Sequence, residues 1–416
     1  MKLGKLHPTT KRLILARAFR SIGQGALVVD LALYLHALGW NGFHIGLVLS
    51  MAGFYGAILS LSVGILSDKL RRRPFVLVYE SIIFLCSIGA LLTSQTIILS
   101  IVIIAAGFGR GANGAAGPFS PAEQAWLAEE VPAFRRGTVY SFNTASGFIG
   151  MGLGALLATL PSFLSLHPLF GGAALHKASA ASYQPLFFIV TVSTIINFIL
   201  IFNAEEQPKN RKPKREKEEI QSYKKVVRQE NKMLTGLVIL NSFNGLAIGF
   251  TGPLISYWFA IRFSVGPAFI APVMAVTFFI TGLSSLLTGK ISEKIGIVQS
   301  VVWARFFGLL LLIVLPFAPY FWLASLIYLL RSAFNRGSVG ARQALTVSLV
   351  RDERRGLATS LNAVSMQVPQ SIGPSIAGYL FSSGQLELPF YAGALFQGIY
   401  LALYGWFFRN QNKTTG

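Results

Sequence analysis

The stretch GILSDKLRRRP, residues 64–74, places one acid and four cations in a chain that carries little charge elsewhere. Only 12% of the 416 residues are charged and 53% are hydrophobic, whereas about 25% of the residues of a soluble protein are charged. A weaker copy, GKISEKIG, occupies positions 289–296, at an offset of 225 in the numbering. Two such charged segments in so apolar a chain indicate loops at equivalent places of a repeated membrane architecture.

Apolar segments of roughly 20 residues recur along the chain, each long enough to cross ~30 Å of hydrocarbon as a helix. A soluble protein is disfavoured because the polar faces of its surface helices are missing. The alternating ten-residue strands of a membrane barrel are not seen either. The sequence therefore predicts an all-α membrane protein with twelve transmembrane helices, here called spans 1 to 12. The spans are 13–38, 43–66, 75–94, 96–118, 138–161, 185–203, 233–260, 267–288, 298–316, 320–341, 356–382 and 389–408.

The lysines and arginines are distributed very unevenly between the two sides of these spans. The loops on the side of the termini hold 27 of them, and the opposite loops hold only Lys177 and Arg262. Positive loops stay in the cytoplasm, so both termini are predicted to be cytoplasmic and the protein to lie in the cell membrane. The net charge of +20 then faces anionic lipid of the bilayer, and nucleic acid is not expected as a partner.

A second repeat joins residues 122–158 and 341–377, which align without gaps at an offset of 219. In this alignment RRG meets RRG, Gln124 meets Gln343 and Gly154 meets Gly373. At the offset of 225, Gly64 matches Gly289 and Asp68 matches Glu293. Two matches in the same order predict two pseudo-symmetric six-helix bundles, a plan that in transporters surrounds a cavity near mid-membrane.

These bundles are predicted at residues 1–203 and 232–416, joined by a cytoplasmic linker at 204–231. The linker has mixed charge and almost no apolar residues. We interpret it as a solvated connection, part helical from Arg215 onward. A specific binding role is the alternative, and its basic residues also favour anionic lipid.

Three of these segments together resemble the major facilitator superfamily. GILSDKLRRR resembles the loop motif between its helices 2 and 3, RGANGAAG (110–117) its helix-4 motif, and PAEQAWLAEEVPAFRRG (121–137) its passage from helix 4 to helix 5. Arg71 departs from the loop motif, which has a second Gly there. GFIGMGLG (147–154) has the glycines but lacks the Pro of the antiporter motif. The resemblance covers the whole chain and implies a transporter whose two halves rock.

The resemblance also implies a cytoplasmic gate. In it, Asp68 faces the start of span 11 near Gly356, and Arg72 pairs with Glu129. Such contacts are worth only about 0.3–1 kcal/mol each when exposed, as a gate that opens in every cycle requires. Arg71 to Arg73 also serve as an orientation signal, whatever else they do. The gate residues that the resemblance implies are Gly64, Asp68, Arg72, Glu129, Gly289 and Glu293.

Acids are rare inside the spans, and a buried ionisable group is a functional candidate because it costs at least ~2.5 kcal/mol. Asp30 in span 1 has no acidic counterpart, since Ile255 stands at its place when the offset of 225 is applied. We interpret Asp30 as a binding site for a proton or a cationic substrate, with plain hydrogen bonding as the alternative. Glu80 and Arg110 fall at similar depth by helical rise. They are expected to form a structural pair or a proton relay, and Arg17 and Arg20 to snorkel to the surface.

Several amides within the spans are suited to a substrate cavity, although for any one of them a hydrogen bond between helices is the preferred interpretation. The candidates are Gln24, Asn113, Asn241, Asn244, Asn335 and Gln367.

The predicted function is proton-coupled efflux of a small organic compound by alternating access, carried out by a monomer without cofactor or metal. Proton-coupled uptake of a small metabolite is the near alternative. A membrane enzyme or a receptor is the alternative of a different class. The sequence has no His-Glu metal spacing, no Ser-His-acid set and no GxxxxGK[ST] loop, and the single Cys86 cannot form an internal disulfide.

Overall fold

The computed structural model describes residues 7–109, 117–132, 136–165, 179–206, 219–337, 339, 342 and 355–409. Within these ranges every regular element is a helix. The α-helices are α1 (Pro8–Ala37), α2 (Gly42–Lys69), α3 (Arg72–Leu92), α4 (Thr96–Ala106), α5 (Ser120–Glu129), α6 (Arg136–Leu157), α7 (Leu160–Ser165), α8 (Gln184–Phe202), α9 (Glu219–Thr251), α10 (Ile255–Phe263), α11 (Pro267–Ile295), α12 (Ile297–Val314), α13 (Phe321–Gly337), α14 (Arg355–Gln370), α15 (Gly373–Ser382) and α16 (Leu388–Arg409). Two short 3₁₀ helices lie at Ala180–Tyr183 and Leu315–Phe317.

Eight helical segments in the described part of the chain are long and apolar enough to cross a membrane. Of the other predicted spans, spans 4 and 10 hold shorter helices in that part, span 11 is divided into α14 and α15, and span 12 is the continuous helix α16. Large apolar side chains point away from the protein all round, among them Leu92, Ile97 and Trp406, each at least two-thirds exposed. Such a surface fits hydrocarbon as its solvent and confirms the membrane class that the composition predicts.

Four predicted spans are interrupted, and three of the breaks have a local cause. α4 ends at Gly107, whose φ of 69° is the left-handed conformation that glycine adopts at a helix end. The break between α9 and α10 falls at Gly252 and Pro253. That between α14 and α15 lies between Pro369 and Pro374. Proline lacks the N–H that a helix needs and disfavours helical conformation in the residue before it. The fourth break, between α6 and α7 in span 5, has no proline at its centre.

The helix starts reproduce the sequence repeat. The first residues of α11, α12 and α13 match those of α2, α3 and α4 at the offset of 225, and the start of α14 matches that of α6 at the offset of 219. These are the two offsets found from the sequence. In the linker, α9 begins at Glu219, within the part predicted to be helical, and continues into span 7. The second part of the predicted linker is therefore helical.

Within the first half, α1 packs against α6 and α8, and α3 against α4 and α8. In the second half, α9 packs against α14 and α16, and α12 against α13 and α16. Glycine permits the closest approaches: a Cβ at Gly154 of α6 would overlap the carbonyl oxygen of Ile22 in α1. Small residues at a helix contact allow such backbone approach in membranes.

The extended contacts between the halves are those of α2, which lies along α14 and α15, and of α6, which lies along α11. Near the N-terminus of α2, a Cβ at Gly46 would overlap the carbonyl oxygen of Pro374. Near its other end, a Cβ at Gly64 would overlap the hydroxyl of Ser360. The two halves therefore touch along the whole length of α2.

Candidate functional site

A buried polar cluster joins four helices of the first half. Its members, here the first-half cluster, are Arg20 of α1, Glu80 of α3, Glu123 of α5 and Asn197 of α8. Arg20 donates from Nε to Oε1 of Glu80 at 2.7 Å, and its terminal nitrogen lies 2.5 Å from the carboxylate of Glu123. Asn197 donates to the same oxygen of Glu80 at 2.6 Å. These bonds offset the cost of removing the charges from water.

The expectation that Arg17 and Arg20 snorkel to the surface is wrong. Both are buried, at 4% and 5% exposure. Carboxylates of α3 and α5 draw the guanidinium of Arg20 inward and neutralise it there, so that it has no need to reach water. Arg110, the expected partner of Glu80, lies outside the described residues, and the pairing of these two residues stays a prediction.

A small cavity lies beside this cluster, between α1, α3, α8 and the end of α4. It holds about 40 Å³ of free volume, enough for a few water molecules. Gln24 lines it, and its Oε1 has no hydrogen-bond partner among the described residues. The full lining is Arg20, Gly23, Gln24, Leu27, Tyr79, Ile83, Ala106, Gly107, Phe108, Gly109, Val190, Ser193 and Thr194.

Asp30 lies farther along α1 and is fully buried. Neither of its carboxylate oxygens has a hydrogen-bond partner in the described part of the chain. Tyr34, one turn later, contacts Tyr183 with ring centroids 5.8 Å apart. A carboxyl group in such surroundings is held without the partners that a structural ion pair would supply.

The charged loop between α2 and α3 is tied to the first half. The predicted ion pair between Arg72 and Glu129 is present. The carboxylate of Glu206 accepts hydrogen bonds from the backbone N–H groups of Arg72 and Arg73, at 2.7 and 3.1 Å. Arg73 also bonds the carbonyl of Phe202 and stacks on its ring. Glu206 was not predicted from the sequence, although an acid directly after span 6 is well placed to cap a neighbouring helix N-terminus.

The other gate candidates are described only in part. Gly64 contacts Ser360 of α14, which brings the two halves together beside the charged loop. Asp68, Gly289, Glu293 and Gly356 lie in helices, but the structure does not describe the surroundings of these four residues. The predicted contact of Asp68 with the start of span 11 therefore stays a prediction.

Four of the six amide candidates bridge helices. Asn241 donates to Oδ1 of Asn362 at 2.9 Å, and Gln367 accepts from Ser60 of the other half at 3.3 Å. Asn244 accepts from Arg305 at 2.9 Å, and Asn335 contacts Gln397 at 3.4 Å. Interhelical bonding, the alternative given for these residues, is therefore what the structure describes. Gln24 lines the cavity described above, and Asn113 lies outside the described residues.

Comparison with known proteins extends the resemblance over the whole chain. The family profile described as Major Facilitator Superfamily matches residues 13–339 and 237–416. The Multidrug resistance protein MdtG of Dickeya zeae is 27% identical over 368 residues, which are 85% of this chain and 83% of that protein. The MdtG of Salmonella typhimurium is 25% identical over 392 residues, 90% of this chain and 89% of that protein.

Solved structures of transporters share the fold. A D-xylose-proton symporter superposes with a TM-score of 0.69 at 13% identity, covering 95% of this chain and 96% of its own. A bacterial homologue of the human lysosomal transporter Spinster, inward-facing and occupied, gives 0.68 at 15% identity, with 95% of each chain covered. At these identities the likeness concerns the fold alone.

Proposed function

This chain belongs to the major facilitator superfamily, and we propose that it exports a small organic compound from the cell in exchange for protons. It has the twelve-helix fold of two pseudo-symmetric bundles and is a secondary transporter in a membrane that it crosses many times. The two MdtG proteins, which align with 85% and 90% of this chain, are named multidrug resistance proteins, and this favours export. Their names describe those proteins and give no single substrate for this one.

The proposal places the protein in the inner membrane of a bacterium as a monomer, with both termini in the cytoplasm. The lysines and arginines support that orientation, since 27 of them lie in the loops on the side of the termini. The halves are residues 1–203 and 232–416, with 204–231 between them. The two halves rock about their contacts, so that the substrate cavity between them opens in turn to the cytoplasm and to the outside. Asp68, Arg72 and Glu129 hold the cytoplasmic end closed, with Glu293 at the equivalent place of the second half.

The observation that supports proton coupling is the buried carboxyl group of Asp30, which has no hydrogen-bond partner among the residues that the structure describes. A carboxyl group that moves between water and an apolar site changes its affinity for protons. Rocking of the halves changes the solvation of Asp30, so the residue binds a proton in the outward-facing state and releases it to the cytoplasm. Protonation and conformation are then linked, because each biases the other. Glu80 is the second candidate for this role.

The test uses purified protein in liposomes, with fluorescein, ethidium and radiolabelled chloramphenicol as an anionic, a cationic and a neutral probe. A pH gradient should drive the accumulation of at least one of them against its own gradient. Asp30→Asn mimics the protonated acid and should abolish this accumulation, while exchange of the probe across the membrane at equal pH stays within about twofold. Glu387→Gln, which removes an exposed acid between spans 11 and 12, is the matched control.

Three results would change the proposal. Gradient-driven transport by Asp30→Asn at the wild-type rate would remove Asp30 from coupling. Accumulation in the direction of proton flow would make the protein an uptake symporter. Loss of binding in Asp30→Asn for ethidium alone would make Asp30 a contact for cationic compounds.

A further inference from the structure

Among the described residues, the buried charged side chains within the spans of the second half are all arginines. Arg305, Arg331 and Arg336, here the second-half arginine cluster, are buried at 3%, 7% and 7% exposure. No Asp or Glu occurs within the sequence of spans 7 to 12. In the described part of the chain, no ion pair joins any of the three to an acid.

The sequence repeat shows which position of the first half corresponds to Arg305. Glu80 is the ninth residue of α3, and Arg305 is the ninth residue of α12, the equivalent helix at the offset of 225. In the first half, Glu80 is neutralised by Arg20 of α1. In the second half, Arg305 donates at 2.9 Å to the neutral Asn244 of α9, the helix that repeats α1. The same place in the fold therefore carries a balanced pair in one half and an unbalanced cation in the other.

The other two arginines also have only neutral partners. Arg331 donates to the hydroxyl of Thr251 at 3.1 Å, and Arg336 to the hydroxyl of Tyr328 at 2.9 Å. Nε of Arg305, Nε of Arg331 and one terminal nitrogen of Arg336 are buried without a hydrogen-bond acceptor among the described residues. Like charge adds to the cost: Arg305 lies near enough to Arg342 and Arg331, and Arg331 near enough to Arg336, for these cations to repel one another.

An anion would make a cluster of this kind favourable. Buried like charges are costly, and unmet donors add to that cost. A guanidinium group presents a planar fork of donors that matches a carboxylate or phosphate. Aromatic rings lie beside the charges, with Arg305 5.3 Å from the ring centroid of Tyr400 and Arg336 5.6 Å from that of Phe278. The surroundings therefore fit a compound that has an anionic group on an apolar body.

We propose that the second-half arginine cluster binds the anionic group of the transported compound, a carboxylate, phosphate, phosphonate or sulfonate. This rests on the proposed function as an exporter of organic compounds. Arg331 is ten residues into α13, which by helical rise is ~15 Å from its outer end and close to mid-membrane. Arg336 lies against Phe278 of α11, the helix that packs on α6 of the first half. The cluster thus extends from the interior of the second half towards the contact between the halves.

The test measures binding to the full chain in nanodiscs of phosphatidylcholine by titration calorimetry. The probes are 1-naphthyl phosphate, 1-naphthoate and 1-naphthylmethylammonium, which share an aromatic body and differ in charge. The two anions should bind and the cation should bind at least about tenfold more weakly. Arg331→Gln and Arg336→Gln should each weaken 1-naphthyl phosphate by about tenfold to a hundredfold, the range of one charged hydrogen bond. Arg262→Gln, which removes an exposed arginine of the same half, should leave the affinity unchanged.

A second readout separates ligand binding from a structural role. Without probe, Arg331→Gln removes repulsion and should melt no lower than the wild type. Arg331→Lys keeps the charge, loses the fork and should fall between wild type and Arg331→Gln in affinity. Equal affinity for all three probes, or a melting temperature several degrees lower in Arg331→Gln with its probe affinity intact, would overturn the proposal.

Two further outcomes distinguish a transported compound from a bound lipid and from a failure of proton coupling. If phosphatidylglycerol in the nanodisc competes with 1-naphthyl phosphate through the same arginines and no probe is transported, the cluster holds a lipid headgroup, and the assignment to a transported compound is wrong. If 1-naphthyl phosphate binds through the arginines but no pH gradient drives its movement, the anion site stands and proton-coupled export fails. Gradient-driven transport of ethidium without any anion binding would give the reverse result.

Discussion

Replacing Glu80 by alanine should destabilise the protein by about 3 kcal/mol, the low end of the range for breaking a buried ion pair. Glu80 accepts from Arg20 and from Asn197, so its removal leaves both donors unmet within the membrane. The loss stays at the low end because Arg20 keeps Glu123 at 2.5 Å. Arg20→Met should cost more, about 5 kcal/mol, because it leaves two carboxylates without their cation.

The two variants are compared by their apparent melting temperatures in one detergent at one scan rate, since a membrane protein of this size is expected to unfold irreversibly. The expected order of melting temperatures is wild type, then Glu80→Ala, then Arg20→Met. Glu80→Gln should lie between wild type and Glu80→Ala, because its carbonyl oxygen still accepts from Asn197. Glu387→Ala, at an exposed position, is the control for the loss of a carboxylate.

A reversed order would refute the reasoning, and so would melting temperatures of both variants that equal that of the surface control Glu387→Ala, since ordinary surface substitutions change stability little. In the first case Arg20 would be the destabilising member, held in place by its neighbours. In the second, water in the adjacent cavity would be screening the charges. Either result would remove the first-half cluster as the feature that joins α1, α3, α5 and α8.

Two further predictions concern helix contacts. In a Cys86→Ser background, Gly64→Cys with Ser360→Cys should cross-link on oxidation and stop transport until reduction. The reason is that the two halves can then no longer separate at their cytoplasmic end. Continued transport by the cross-linked protein would argue against rocking at the contact of α2 with α14. Gly154→Ala should lower the melting temperature by several degrees, because the new Cβ overlaps a backbone carbonyl that cannot give way, whereas Gly405→Ala, which meets nothing within 4 Å, should be neutral or raise it; equal effects in a side-by-side melting experiment would contradict the close approach of α1 and α6.

The membrane class and the helical segments could be predicted because they depend on composition summed over some 20 residues. A long apolar segment has one stable arrangement in lipid, whatever its neighbours are. The interruptions were harder to place. Proline stands at the break between α9 and α10, whereas the break after α4 depends on the left-handed conformation of Gly107. Glycine is common throughout this chain, and its presence alone does not state which conformation it adopts.

The candidate site could be recognised in the sequence, but its contacts could not. Asp30 and Glu80 stand out because acids are scarce in apolar segments. Helical rise then gives the depth of Glu80, which is why Arg110 was expected beside it. Depth alone does not choose among cations on different helices. Arg20 and Asn197 reach Glu80 only because α1, α3 and α8 pack around one another, and this information is absent from any single segment.

The offset of 225 in the sequence shows where the two halves differ in charge. This offset, which aligns Asp30 with Ile255, also aligns Glu80 with Arg305. The first residues of the helices confirm this alignment. The partners change with the charge: the acid faces Arg20, whereas the arginine faces Asn244 and the aromatic Tyr400. Backbone geometry is repeated because helix contacts depend on shape, which tolerates little change. Charge at a buried position is free to reverse if its neighbours, or a bound ion, reverse with it. The neighbours of Arg305 became neutral and not acidic. No acid in the described part of the chain pairs with Arg305, and this is the physical reason to propose an anion there.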